Sequence, residues 1–245
     1  MAFPDALMKL RSGLGPHRLA RETALIVVAL AALAGCSRAT EAPRITERVR
    51  FFDEDARRDA AEAESDMLAP RTPVTLDVEG RRRSAASCQE YLALLEQGAE
   101  PATDADASVA LEYAYCGLFR AVLRATPVRR SNFDSPLGST LYRHLDLTTV
   151  RTSLAPSVPD GKFTLESIFA EASVSQHAVE IHTSDWDYTL RVLAAGDFDG
   201  DGREDLVVLF IDDAREGTFL ITSTLILVRP DPAGPVRAAF PPPPR

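Results

Sequence analysis

The architecture turns on Tyr188-Thr-Leu-Arg-Val-Leu-Ala-Ala-Gly-Asp-Phe-Asp-Gly-Asp-Gly-Arg-Glu-Asp-Leu-Val-Val-Leu-Phe-Ile211. Two apolar, β-branched runs, Tyr188 to Ala195 and Leu206 to Ile211, flank a short acidic, glycine-rich loop. This is the pattern of two strands joined by a tight connection. The second run is apolar at every position, which predicts a strand covered on both faces. Thr218 to Val228 reads as a third strand, joined to the second by Asp213-Ala-Arg-Glu-Gly217 as a hairpin. Shorter strands are expected over Phe163 to Phe169 and Ala178 to His182. Residues 128–160 read as loop-rich, broken up by Pro127, Pro136, Pro156 and Pro159.

Upstream, the pattern turns helical. Val74, Leu76 and Val78 alternate with polar residues before Glu79-Gly80, so 73–86 reads as a hairpin. Ser87-Cys88-Gln89-Glu90 has the spacing of a capping box, with Tyr91, Leu92, Leu94 and Leu95 as the apolar side and Gly98 as the stop. A second helix is expected from a cap at Thr103, Asp104 or Asp106 to Pro127. Its face is Leu111, Tyr115, Leu118, Phe119 and Val122. The fold class is therefore α+β: a helix pair, then an antiparallel β-sheet in the C-terminal half.

The loop carries the chemistry. Asp197, Asp199, Asp201 and Asp205 occupy positions 1, 3, 5 and 9, and Gly200 and Gly202 let the backbone fold back. Carboxylates crowded in this way repel one another, and a hard divalent cation such as Ca²⁺, which takes six to eight oxygens, removes the repulsion. The carbonyl of Arg203, at position 7, is the expected further ligand, and Glu204 is expected to point outward. Position 12 is Val208, so the loop is not an EF-hand. The alternative is an acidic turn without metal. The wording Gly196-Asp-Phe-Asp-Gly-Asp-Gly-Arg-Glu-Asp-Leu-Val resembles the calcium loop of FG-GAP/VCBS-type repeats. That resemblance implies ligation by Asp197, Asp199, Asp201, the Arg203 carbonyl and Asp205. It covers one repeat only, so it does not imply the propeller those repeats build. Affinity near ~10⁻⁴–10⁻³ M, as in extracellular modules, is expected.

The N-terminus reads as an address. Lys9, Arg11, Arg18 and Arg21 precede a run of twelve small and apolar residues, Ala24 to Gly35. A span needs about 20, so the run suits a secretory signal. Its end, Leu33-Ala34-Gly35-Cys36, resembles the bacterial lipobox. The resemblance implies cleavage before Cys36 and a lipid on its thiol. Ser37, where aspartate would signal inner-membrane retention, implies the outer membrane, facing the periplasm. An ordinary secretion signal is the alternative.

With Cys36 lipidated in an oxidising compartment, Cys88 and Cys116 remain, and a disulfide is the economical expectation. A redox or catalytic cysteine is the alternative, without a CxxC to favour it. The layout Cys-x-x-Tyr-Leu … Tyr-Cys-x-Leu also resembles some bacterial lipoproteins and implies no activity. The expected organisation is a signal peptide (1–35), a membrane tether (36–70), a hairpin with the stapled helices (71–130), a β region with the Asp-rich loop (131–239) and a Pro-rich tail (240–245). Asp53 to Met67 has the composition of a solvated helix but shows no apolar stripe, so it reads as spacer.

The chain has 245 residues, 45% hydrophobic and 26% charged, with 27 Lys+Arg against 36 Asp+Glu. That is globular composition, and with no basic run beyond Arg81-Arg82-Arg83 it argues against nucleic-acid binding. His144, His177 and His182, with Glu180 between the last two, lack zinc-site spacing, and there is no GxSxG or P-loop. Trp186 lies between Asp185 and Asp187, where it can stack on a sugar or pack at a strand edge. The reading is an envelope-anchored, non-catalytic lipoprotein with one calcium loop. Its partners would be the membrane, through its lipid, and an unknown envelope protein or glycan. The alternative is a periplasmic hydrolase acting on envelope material, which a cleft gathering the histidines would favour.

Overall fold

Leu206, Val208 and Phe210 point to one side of the central strand, and Val207 and Leu209 to the other; all five are buried. Each set enters a different apolar cluster, so both faces of the strand are covered, as its unbroken apolar run predicts. The computed structural model describes residues 45–150, 163–216 and 220–241. The signal segment 1–35, Cys36 and the end of the Pro-rich tail lie outside the described residues, as does Thr218 at the start of the third predicted strand.

The chain begins with a short helix α1 (Ile45–Arg48), strand β1 (Val49–Phe51), and helices α2 (Glu54–Ala60) and α3 (Ala63–Leu68). A hairpin of β2 (Val74–Val78) and β3 (Arg81–Ala85) leads to α4 (Cys88–Leu95), β4 (Glu100–Pro101), α5 (Asp104–Ala110) and α6 (Cys116–Arg124). Helices α7 (Leu137–His144) and α8 (Leu165–Ile168) precede β5 (Ser173–Val174), β6 (Ala178–His182), β7 (Trp186–Gly196), β8 (Asp205–Ala214), β9 (Leu220–Val228) and β10 (Arg237–Phe240).

The main sheet runs β10-β9-β8-β7-β6-β5, every pair antiparallel, with β1 also on β7. β6 pairs with the first half of β7 and β1 with its last residues, Val49 opposite Gly196 and Phe51 opposite Ala194. Between the two, a bulge at Leu193 shifts the register of β7, and the Leu193 carbonyl accepts the N–H of Phe52 at 2.9 Å. Helices α2, α3, α4 and α6 share one cluster with Leu193, Val207 and Leu209. Helices α7 and α8 share the other with Val208, Phe210 and Leu225. Each fully buried Leu, Val or Phe stabilises the body by about 1.5–3 kcal/mol. A second sheet, β3-β2-β4, has three strands.

The α+β class holds, and so does the staple. Ser87 caps α4 by accepting the Glu90 N–H, and Cys88 and Cys116 are joined with their Cα atoms 5.2 Å apart. The second predicted helix is divided, however. Residues Leu111–Tyr113 tighten into a 3₁₀ turn, so Cys116 stands at the start of α6 and not at mid-helix. The turn brings Tyr113 inward, where its hydroxyl reaches the carbonyls of Thr72 and Ala85 at 2.7 and 3.1 Å.

Three expectations are corrected. The stretch read as a tether is part of the body from Ile45 onward: β1 joins the sheet, and α2 and α3 pack beside α6. Its apolar stripe is alanine, Ala56, Ala60 and Ala63, all at most 1% exposed. Their spacing of four and three is helical, and their size lets the helices approach closely. Phe163 to Phe169 is not a strand. Thr164 and Ser167 cap each other's backbone and start α8, and this local pairing outweighs the β preference of the phenylalanines. Phe240 belongs to β10 and not to the tail, with the Arg120 guanidinium 3.7 Å from its ring centroid. The expected regions 71–130 and 131–239 both fall within one compact unit, Pro43–Arg245.

Candidate metal centre

The acidic loop joins β7 to β8 at the middle of the main sheet, so its two ends are fixed by the core. Gly200 and Gly202 have φ of 86° and 82°, a region that side-chain-bearing residues rarely adopt. These two bends let the loop close on the first aspartate. Asp197, 1% exposed, accepts the Gly200 N–H on Oδ1 at 2.8 Å and the Gly202 N–H on Oδ2 at 2.9 Å. The Thr126 hydroxyl also donates to Oδ2, and the Thr126 N–H donates to the Asp197 carbonyl at 2.8 Å. A second segment supports the loop from outside: the N–H of Arg129 donates to the Gly202 carbonyl at 2.9 Å, and the N–H of Glu204 to the Arg130 carbonyl at 2.9 Å.

Oxygens of Asp197, Asp199 and Asp205 lie within 4.8 Å of one another, and this group can hold a metal ion. Asp197 and Asp205 are buried, and Asp199 is exposed. Asp205 Oδ2 accepts the Phe198 N–H at 2.9 Å. Burial pushes the Asp205 carboxyl up to about 7; the Phe198 N–H opposes that shift, and the charges of Asp199, Asp201 and Asp197 add to it. A divalent cation at the focus of the three groups would reverse that balance, since opposite charge favours the ionised form.

The structure thus brings together positions 1, 3 and 9 of the five expected ligands. Asp201 stands apart from this group: its Oδ1 accepts the Arg203 N–H at 2.7 Å, and its Oδ2 lies 3.5 Å from Arg203 Nε. The Arg203 guanidinium also donates to the Pro230 carbonyl. Glu204 turns away from the loop centre, as expected, but not into solvent. It is 8% exposed, with Arg50 at 2.8 Å on one oxygen and the Ser131 hydroxyl at 2.6 Å on the other. Sequence reading missed Thr126, Ser131 and Arg50, because each comes from a segment more than 70 residues away.

The histidines are engaged separately. His177 stacks on Phe52 with ring centroids 4.5 Å apart. His182 Nδ1 lies 2.8 Å from Asp187, which the Arg215 Nε–H also meets at 2.9 Å. The His144 carbonyl accepts the Val236 N–H at 2.8 Å. The Trp186 ring lies nearly parallel to Tyr188, 6.3 Å away. A groove of about 300 Å³ between α3, α4 and α6, lined by Met67, Leu92, Glu96, Arg120 and Leu123 among others, contains no histidine. Compared with known proteins, the chain matches no family model, no curated protein and no solved structure.

Proposed function

We propose that this chain is an envelope-anchored bacterial lipoprotein, a non-catalytic binding or structural module steadied by one calcium ion. The observation that carries the reading is the convergence of Asp197, Asp199 and Asp205 on one point, two of them buried. Buried, crowded carboxylates are costly as anions unless a cation sits among them. Calcium suits this set better than magnesium, because it accepts irregular oxygen shells that mix carboxylates, carbonyls and water. Its role would be to lock the turn between the two central strands, with the Arg203 carbonyl as a further donor.

The lipobox-like Leu33-Ala34-Gly35-Cys36 supports export, lipidation of Cys36 and residence on the outer membrane, facing the periplasm. The Cys88–Cys116 pair fits an oxidising compartment. Among the described residues, no helix is long and apolar enough to cross a membrane. The partner would be an envelope protein or glycan. A periplasmic hydrolase is the weaker reading: it draws on the His182–Asp187 contact alone, and Asp187 is already shared with Arg215.

Two measurements test the proposal. Cells expressing the full chain are labelled with tritiated palmitate and fractionated, beside Cys36→Ala. Label in the wild type and none in the variant is expected; an unlabelled wild type overturns the anchor. Purified protein is then melted with and without calcium. A rise in Tm that Asp199→Ala abolishes is expected, and an equal response of both proteins overturns the metal role.

A further inference from the structure

Arg81, Arg82 and Arg83 stand side by side on β3 in a chain whose acids outnumber its bases. All three are exposed, and among the described residues none makes an ion pair. Asp77 lies directly opposite Arg82 in the hairpin, yet its carboxylate accepts the Gly80 N–H at 2.7 Å. The charge of Arg82 is felt at Asp106, whose oxygens are taken by the Thr75 N–H at 2.9 Å and the Thr103 hydroxyl at 2.6 Å.

The strand that carries them is an edge. In the order β3-β2-β4, only one side of β3 is paired among the described residues. The two-residue turn Glu79-Gly80, with φ of 53° and 79°, fixes the alternation of the ladder. Val78 and Arg81 close the turn as a hydrogen-bonded pair, so Leu76/Arg83 and Val74/Ala85 are bonded pairs as well. The main-chain N–H and C=O groups of Arg82 and Ser84 therefore face outward. A second copy of β3 cannot use them comfortably, because antiparallel self-pairing would set arginine against arginine, and like charges directly opposite are destabilising.

We infer that β3 is a docking edge for an extended acidic segment of a partner protein. The segment adds as a further strand beside β3, with its backbone bonded to Arg82 and Ser84. Three consecutive carboxylates meet Arg81, Arg82 and Arg83, the outer two on one face of the sheet and the middle one on the other. This surface is independent of the acidic loop and of the lipid anchor.

The test uses the purified full chain and a fluorescent peptide, Thr-Val-Glu-Glu-Glu-Val-Thr, followed by anisotropy at physiological salt. Saturable binding is expected. The triple reversal R81E/R82E/R83E is expected to weaken it at least tenfold, with an unchanged melting curve. A peptide N-methylated at alternate residues keeps its charges and loses its edge N–H groups, and it too is expected to bind at least tenfold more weakly. Because this arm uses wild-type protein, it decides the matter even if the triple variant fails to fold. Absence of saturable binding overturns the inference, as does equal binding of the N-methylated peptide. Binding of phosphatidylglycerol vesicles through these arginines, with the peptide unbound, overturns it in favour of a lipid surface.

Discussion

Replacing Asp205 by asparagine removes one charge from the enclosed side of the acidic loop while keeping an oxygen to accept the Phe198 N–H. In the folded chain, burial and neighbouring carboxylates hold Asp205 at about 7 against an ordinary 3.8. Between these two values the folded state binds more protons than the unfolded state, so stability falls as pH rises through the window and the loss is complete above it. At about 1.4 kcal/mol per pH unit, the full shift corresponds to a penalty on the order of 4 kcal/mol; relaxation and water entry reduce it to about 2–4 kcal/mol. In EDTA at pH 8, Asp205→Asn is therefore more stable than wild type by about that amount, and the difference shrinks toward zero near pH 4. Urea unfolding reads this directly: with a slope of about 1–3 kcal/mol per molar, the midpoint rises by about 1 M or more. Calcium acts in the opposite sense. At about 10 mM, with affinity near 10⁻⁴–10⁻³ M, it stabilises wild type by about 1.4–2.7 kcal/mol and the variant by less. Parallel pH profiles for the two proteins, with no crossing of their calcium responses, would rule out a buried Asp205 charge as the source of the effect.

Ala60→Glu sets a charge into the contact between α2 and α6 and is expected to cost about 3 kcal/mol or more in urea unfolding; a neutral effect would return residues 45–70 to the role of a tether. Replacing Cys88 and Cys116 by alanine releases a closure of sequence separation 28 and is expected to lower stability by about 3–4 kcal/mol. Intact mass before and after reduction, two daltons apart, checks that the bond is present in the wild type.

The sheet was the most legible part of the chain. An unbroken apolar run at Leu206 to Ile211 can only be a covered strand or a buried helix segment, and its flanking glycines and β-branched residues favour the strand. The staple was legible by elimination of Cys36. The N-terminal helices were not, because Ala56, Ala60 and Ala63 are too small to signal a buried face by hydrophobicity, and their burial comes from α6, some 60 residues later. The loop was half legible. Carboxylate spacing located it, and glycines at positive φ explained its bend. The spacing did not reveal that Asp201 would close a local turn with Arg203, or that Thr126 would hold Asp197 in place. Both depend on where other backbone groups arrive, and that is fixed by the tertiary fold.

Isothermal titration of calcium into the metal-free protein asks whether the three converging aspartates hold one divalent cation. Among the described residues, the Asp199 side chain accepts one hydrogen bond, from the Asp201 N–H at 3.0 Å, so Asp199→Ala removes a ligand and leaves the fold in place. Single-site binding to wild type and at least tenfold weaker binding to the variant are expected. Identical isotherms, or no heat from either protein, would contradict a cation held there.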